Sequence, residues 1–247
     1  MTKPKAALFD LDETLAESKQ PITDEIRALV SALASTMPVG IISGGKFEVL
    51  VTNIGDRIDP EFRNGLYLLP TCGAAMYAWD GAYTAVYQEL LTSEEEAAIG
   101  AAITEAIEET GVIDLDVPSY GERVELRGSQ VTLSALGQQA PIEAKKAWDP
   151  DRTKRPILRE AIARRLPNFD VKTGGSTSVD ITKPGINKAY GVRKFAEHHS
   201  FLPEEMFYVG DALFPGGNDE VVKETGIETR QTSGPLETAD IIRELLS

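Results

Sequence analysis

A chain of 247 residues has room for one large domain or two modest ones, and 42% hydrophobic with 26% charged residues excludes a disordered or fibrous protein. The formal charge of -14 opposes binding to a nucleic-acid backbone or an anionic membrane, both of which draw on surplus Lys and Arg, and no apolar run reaches the roughly 20 residues of a bilayer span. Cys72 is the only cysteine, so neither an internal disulfide nor a thiolate metal site can form, and any metal must be held by oxygen.

The first residues lead into an apolar strand, Ala6 to Phe9, without the apolar stretch of a signal peptide, so the expected compartment is the cytoplasm. An amphipathic helix from Asp24 to Ser35 follows, with Thr23 as N-cap and Asp24 and Glu25 in its first turn, then a strand Val39 to Ile42 and a helix Phe47 to Ile54. Strand and helix in alternation predict a parallel sheet with helices on its faces, a doubly wound, Rossmann-like α/β core. Gly65 to Leu69 reads as a further strand. Met76 to Trp79 and Ala82 to Tyr87 read as a hairpin joined by Asp80-Gly81, a pair suited to a type I′ turn.

The pattern then changes. Ser93 and Glu96 read as a capping box opening a helix that runs to about Thr110 and ends at Gly111. Arg123 to Arg127 and Gln130 to Leu136 form a hairpin across Gly128-Ser129. A helix from about Arg152 to Arg165 stops before Pro167, and two strands flank Gly174-Gly175. This middle segment is an α+β insert. The parallel pattern resumes with a helix from about Asn187 to His199, a strand Met206 to Val209 and a helix Glu237 to Leu246. The expected division is a core of residues 1–86 and 186–247 with an insert at 87–185.

Chemistry-bearing groups fall at the strand ends, where ligands of open α/β sheets bind. Asp10 and Asp12 follow the first strand; on an extended chain they point to one side, so that one can attack phosphorus while the other handles a proton. Ser43-Gly44-Gly45 ends the second apolar strand and offers a hydroxyl and backbone N–H groups to a phosphate, although such a triplet is also an ordinary strand-to-helix turn. Lys188 stands near a helix start and can reach phosphoryl oxygens as a point charge; Lys183 competes for that role, and spacing does not choose between them. Gly210-Asp211-Ala212-Leu213-Phe214-Pro215-Gly216-Gly217-Asn218-Asp219 brings acids to the end of another strand, and Asp211 with Asp10 suits a hard cation such as Mg2+. Together these are the parts of metal-assisted phosphoryl transfer. His198, His199, Trp79 and Trp148 read as surface or packing residues without a catalytic part.

The set Asp10-x-Asp12-x-Thr14, Ser43, Lys188 and Gly210-Asp211 resembles the four motifs of the haloacid dehalogenase superfamily. The longer run from Gly210 to Asp219 is similar to the signature of the eukaryotic-type phosphomannomutases, which carry an α+β cap inserted in the core. The resemblance implies that Asp10 becomes an aspartyl phosphate, that Asp12 acts as acid and base, and that Asp10, the Asp12 carbonyl and Asp211 hold Mg2+. It also implies sugar-phosphate contacts from Lys19, Gly44, Arg127, Lys145, Ser178 and Asp180, a hexose 1,6-bisphosphate activator, and a homodimer through the cap. Where the family has arginines this chain has Lys19, Gln138 and Lys145, and Glu13 stands in place of a glycine; Lys19, Lys145 and Lys146 supply part of the missing charge. A guanidinium grips phosphate with two parallel bonds, which lysine and glutamine do not reproduce. The loop, Ser178 and Asp180 favour a phosphomutase acting between mannose 1-phosphate and mannose 6-phosphate; Gln138 and the absent arginines favour a sugar-phosphate phosphatase. The reading leans to the mutase, with a binding protein devoid of turnover as the third alternative.

Overall fold

The computed structural model describes residues 3–247, which fall into two compact units: the chain up to Gln88 together with Ile186–Ser247, and Glu89–Gly185. Among the described residues no helix is long and apolar enough to cross a membrane.

In the first unit the elements are β1 (Ala6–Asp10), α1 (Asp24–Ala34), β2 (Val39–Ile42), α2 (Phe47–Asn53), β3 (Leu66–Leu69), β4 (Ala75–Trp79) and β5 (Tyr83–Gln88). After the insert come α6 (Lys188–His199), β10 (Met206–Gly210), β11 (Glu228–Gln231) and α7 (Pro235–Leu246). The sheet order is β11-β10-β1-β2-β3-β4-β5, parallel from β11 to β3 and antiparallel for the last two strands. β1 is buried at every position, and its alternate residues feed two cores: Ala7 and Phe9 pack with α1 and α7, Ala6 and Leu8 with α6. Burial on both faces is why this strand is continuously apolar instead of alternating. α1 presents Ile26, Val30 and Leu33, one turn apart, to the first of these cores, each fully buried and contributing about 1.5–3 kcal/mol.

The helix α6 approaches the β3–β4 connection at two glycines. Gly73 has φ +85°, and a Cβ there would lie 2.5 Å from the Gly191 Cα, so only bare backbone fits. Gly73→Ala is therefore expected to cost about 2–4 kcal/mol from the left-handed backbone and the overpacking together, read from urea denaturation midpoints.

The second unit holds α3 (Ser93–Thr110), β6 (Val124–Leu126), β7 (Gln130–Ser134), α4 (Ile142–Trp148), α5 (Lys154–Arg165), β8 (Asp170–Thr173) and β9 (Ser178–Thr182). Its antiparallel sheet runs β6-β7-β9-β8. Val131, Leu133, Val179 and Ile181 pack against Ile99 and Ile103 of α3 and Leu158 and Ile162 of α5. The period of two then puts Gln130, Thr132, Ser134, Ser178 and Asp180 on the opposite face.

Several local expectations are corrected. The capping box is Thr92 with Glu95, one residue earlier than Ser93 with Glu96: Thr92 is extended (φ -80°, ψ 163°) while Ser93 is already the first helical residue. Trp79 pairs with Tyr83, so the β4–β5 loop has three residues, Asp80 to Ala82, instead of a two-residue type I′ turn. The helix expected from Arg152 starts at Lys154, because Arg152 sits at φ 58°, and the last helix starts at Pro235, where proline suits the first turn. His199 is not a surface group: it is partly buried against Tyr67, Phe195 and Phe201, and burial with the neighbouring His198 lowers its pKa to about 4, so it is neutral rather than a charge at the helix end.

Candidate active site

Parallel register aligns the strand ends. Asp10 lies opposite Ile42, and Phe9 lies opposite Val209, so Ser43 and Asp211 leave the sheet at the same edge as Asp10. The fourth participant arrives on α6. Asn187 caps that helix by accepting from the Tyr190 amide at 2.9 Å, and Lys188 is its first residue, with a side chain only 1% exposed.

Lys188 Nζ reaches Asp10 Oδ1 at 2.7 Å and Asp219 Oδ1 at 2.5 Å. One carboxylate oxygen from each of Asp10, Asp211 and Asp219 falls within 4.8 Å of the others. Three carboxylates against one ammonium leave a formal excess of two negative charges, the complement of a divalent cation. Oxygen donors on an open strand edge suit a hard ion of the Mg2+ or Ca2+ type. The residues present thus fit a metal.

Burial, opposed by Lys188 and reinforced by Asp219, raises the Asp10 pKa. Asp211 is raised too, through burial and the charge of Asp219. Burial would depress Lys188, but the facing charges of Asp10 and Asp219 more than reverse it, so the ammonium stays protonated. Tyr208, fully buried beside Asp219, has its phenol pushed well above the usual value by burial and by that carboxylate, and keeps its proton.

Two hydroxyls knit the loops around this cluster. Thr14 Oγ1 accepts the Asp211 amide at 3.0 Å, tying the β1 loop to the β10 loop. Ser43 is buried; its Oγ accepts the Gly45 amide at 3.0 Å and its carbonyl accepts from Cys72 N at 2.8 Å, which leaves the hydroxyl proton available to a ligand. Gly44 follows it within the same turn, where a Cβ would come no closer than 3.7 Å to Cys72 Sγ.

The expectation for Asp12 rested on an extended chain, but β1 ends at Asp10. Asp12 stands in the following turn, its Oδ1 accepting the Lys19 amide at 2.7 Å, with Lys19 held at φ 60°. Lys19 meets Asp12 through its backbone while its side chain is exposed. Lys183 is removed from competition: its Nζ donates to the Leu90 carbonyl at 2.7 Å and lies 3.7 Å from Glu95, all within the second unit. Asp219 was read only as part of a Gly-rich run; the signal for it was an acid eight residues after Asp211 in a loop whose bland reading explained the glycines alone.

In the second unit Asp180 accepts from Thr132 Oγ1 at 2.8 Å and Gln130 Nε2 at 3.0 Å. Burial raises its pKa, while those donors and the charge of Arg127 oppose the rise. Arg127 itself grips Glu125, with Nε at 2.8 Å and Nη2 at 2.7 Å from Oε2. Ser178, two residues before Asp180 on β9, lies opposite Ser134 of β7. Lys145 Nζ donates to the Gln138 carbonyl at 3.2 Å, so these two positions are joined to each other.

A parallel sheet whose edge gathers an acid-bearing β1 loop, a hydroxyl, a helix-borne lysine and a second acidic loop defines a phosphoryl-transfer enzyme of the haloacid dehalogenase class. Solved structures match the fold: a haloacid dehalogenase-like hydrolase from Bacteroides thetaiotaomicron superimposes with a TM-score of 0.68 at 16% identity, covering 98% of this chain and 100% of that one. The family model for eukaryotic phosphomannomutase matches residues 26–247, and the chain belongs to that family. Curated relatives include phosphomannomutase 2 of Dictyostelium discoideum, 26% identical over 223 residues (88% of this chain, 86% of that protein). The phosphomannomutase of Saccharomyces cerevisiae is 23% identical over 254 residues, 99% of this chain and 96% of that protein.

Proposed function

We propose that the protein is a Mg2+-dependent phosphomannomutase interconverting mannose 1-phosphate and mannose 6-phosphate. The observation that carries this reading is the buried Asp10–Lys188–Asp219 chain with Asp211 beside it, in a chain of this family. An Asp10 oxygen attacks phosphorus, the bond from phosphorus to the sugar oxygen breaks, and that oxygen takes the proton of Asp12. In the return step Asp12 removes the proton of an incoming sugar hydroxyl, which attacks the phosphoryl group and releases Asp10. Lys188 and Ser43 hold the phosphoryl oxygens, and Gly44 offers its backbone to them. Asp10, Asp211 and the Asp12 carbonyl would hold Mg2+, which would supply neutralising charge to those oxygens.

A hexose 1,6-bisphosphate primes Asp10 in this scheme. Ser178, Asp180 and Arg127 are assigned to the sugar phosphate, Asp180 to hydroxyls and Arg127 to phosphate, with Lys145 and Lys19 adding charge. Residence in the cytoplasm and a homodimer through the insert belong to the same reading.

One observation favours a phosphatase instead. Lys145 donates to the Gln138 carbonyl, and neither residue offers the forked donor of an arginine to a second phosphate. The deciding measurement supplies mannose 1-phosphate, Mg2+ and trace glucose 1,6-bisphosphate, then follows mannose 6-phosphate against free phosphate. Mannose 6-phosphate in excess is the expected result; predominant free phosphate identifies a hydrolase.

A further inference from the structure

Among the buried polar groups that the scheme above leaves without a part, Tyr208 is the one bonded to its central cluster. Tyr208 lies on β10 among Ala6, Leu8, Phe195 and Val222, an apolar surrounding that a phenylalanine would fill equally well. A hydroxyl in such a place costs free energy unless it is bonded. Its partner is Asp219 Oδ1, to which the phenol donates at 2.6 Å. That oxygen is the one Lys188 Nζ approaches at 2.5 Å, and Asp219 Oδ2 accepts the Ala212 amide at 3.1 Å. Gly210 makes room: a Cβ there would stand 2.4 Å from Asp219 Oδ2 and 2.9 Å from Tyr208 Cε1.

Asp219 is therefore held by three donors of different kinds, a phenol, an ammonium and an amide. Asp211, in the same cluster, accepts the Thr14 hydroxyl at a long 3.5 Å and shares a hydrogen bond with the Asp10 carboxyl, with no ammonium or phenol bonded to it among the described residues. The two acids differ in freedom, and the freer one is suited to a cation. Lys188 needs the opposite treatment. A lysine has a flexible four-carbon stem and a point charge, so its ammonium stays in one position only where rigid acceptors fix it. Asp10 is one such acceptor, but it is also the proposed nucleophile and must change its bonding during turnover. Asp219 is the acceptor that stays.

We propose that Tyr208 is a positioning residue: its hydroxyl locks the Asp219 carboxylate so that Asp219 anchors Lys188 against Asp10 and stays out of the coordination of a cation bound by Asp10 and Asp211. This rests on the role given to Lys188 under the proposed function. It makes β10 contribute twice to the site, through Asp211 beyond its end and through a phenol one turn of the pleat inside it.

Tyr208→Phe removes the hydroxyl and keeps the ring. A hydrogen bond to a charged acceptor is among the stronger kinds, so its loss is expected to lower kcat by about tenfold. The KM for the sugar phosphate should stay within about twofold, since a loosened Lys188 affects the reacting phosphoryl group more than the rest of the substrate. Binding of beryllium fluoride with Mg2+, an adduct on Asp10 that mimics the phosphorylated state, should weaken by a similar factor in calorimetry. A fall in thermal midpoint with kcat and adduct affinity unchanged would mean that the phenol only packs, and would overturn the proposal.

A second measurement needs no variant. In a crystal structure of the wild-type chain with Mg2+ and beryllium fluoride, Tyr208 should remain bonded to Asp219, and Asp219 should lie outside the metal's inner shell; Asp219 as a direct ligand overturns the assignment. The wild-type product ratio, mannose 6-phosphate against free phosphate, tests the mutase reading separately. The variant-to-wild-type ratio of adduct affinity tests the phenol whichever product forms.

Discussion

Asp10→Asn is expected to give a folded protein whose turnover is at least about 10^4-fold lower, the scale on which removal of a nucleophile acts when the rest of a site is left in place. The amide matches the carboxylate in shape but cannot form a bond to phosphorus that water or a sugar hydroxyl later breaks. Its effect on stability should run the other way. Burial holds the Asp10 pKa above its ordinary value, so at neutral pH the ionised carboxylate is less favourable in the folded chain than in the unfolded one. Asparagine removes that penalty and lowers the excess negative charge shared with Asp211 and Asp219. The metal-free variant should therefore melt at or above the wild-type temperature. Loss of activity accompanied by a lower melting temperature would point to a damaged fold, and retained turnover would remove Asp10 from the chemistry.

How much of this could be read without coordinates depended on how local each signal is. The ends of β1, β2 and β10 were legible because strands buried on both faces are written as continuous apolar runs, and the groups just beyond them are the ones a sheet edge exposes to ligand. β11 and α4 were not. Glu228–Gln231 is a polar edge strand with no position fully buried, and Ile142–Trp148 buries no residue, so neither leaves a periodic apolar trace. Lys188 and Lys183 differed only in where the chain carries them: one to a buried meeting of two acids, the other to a carbonyl at the edge of the insert. The anchoring role of Asp219 depends on a contact with a lysine 31 residues away, and nothing in the run around it foretells that. Asp12 shows the reverse failure, since strand alternation was extended two residues past the point where the strand stops.

Lys188→Met is expected to destabilise the first unit strongly. The side chain is fully buried between Asp10 and Asp219, and its removal strands two carboxylates with no cation between them. Breaking a buried ion pair from one side costs about 3–5 kcal/mol, because the remaining charge keeps its desolvation penalty and loses its partner. The pH dependence follows in sign. Without the ammonium, the Asp10 pKa rises further above its unfolded value, and a carboxyl raised in the folded state opposes folding increasingly as the pH climbs from its unfolded value to the raised one and in full above that. The gap between wild type and variant, measured by urea denaturation without metal, should widen as the pH rises above about 7, where wild-type Asp10 ionises, and shrink as the pH falls toward about 5 and Asp10 is protonated in both. Mg2+ should narrow it as well, since a ligand that binds only the folded chain stabilises it by mass action and replaces part of the missing positive charge. Adding Asp219→Asn to Lys188→Met removes one stranded charge, so the double variant should be more stable than the single one, a non-additivity expected only of groups in contact. A gap below about 1 kcal/mol that is flat with pH would show that the lysine is not the charge partner of these acids, and with it the basis for assigning it to the phosphoryl group would fall.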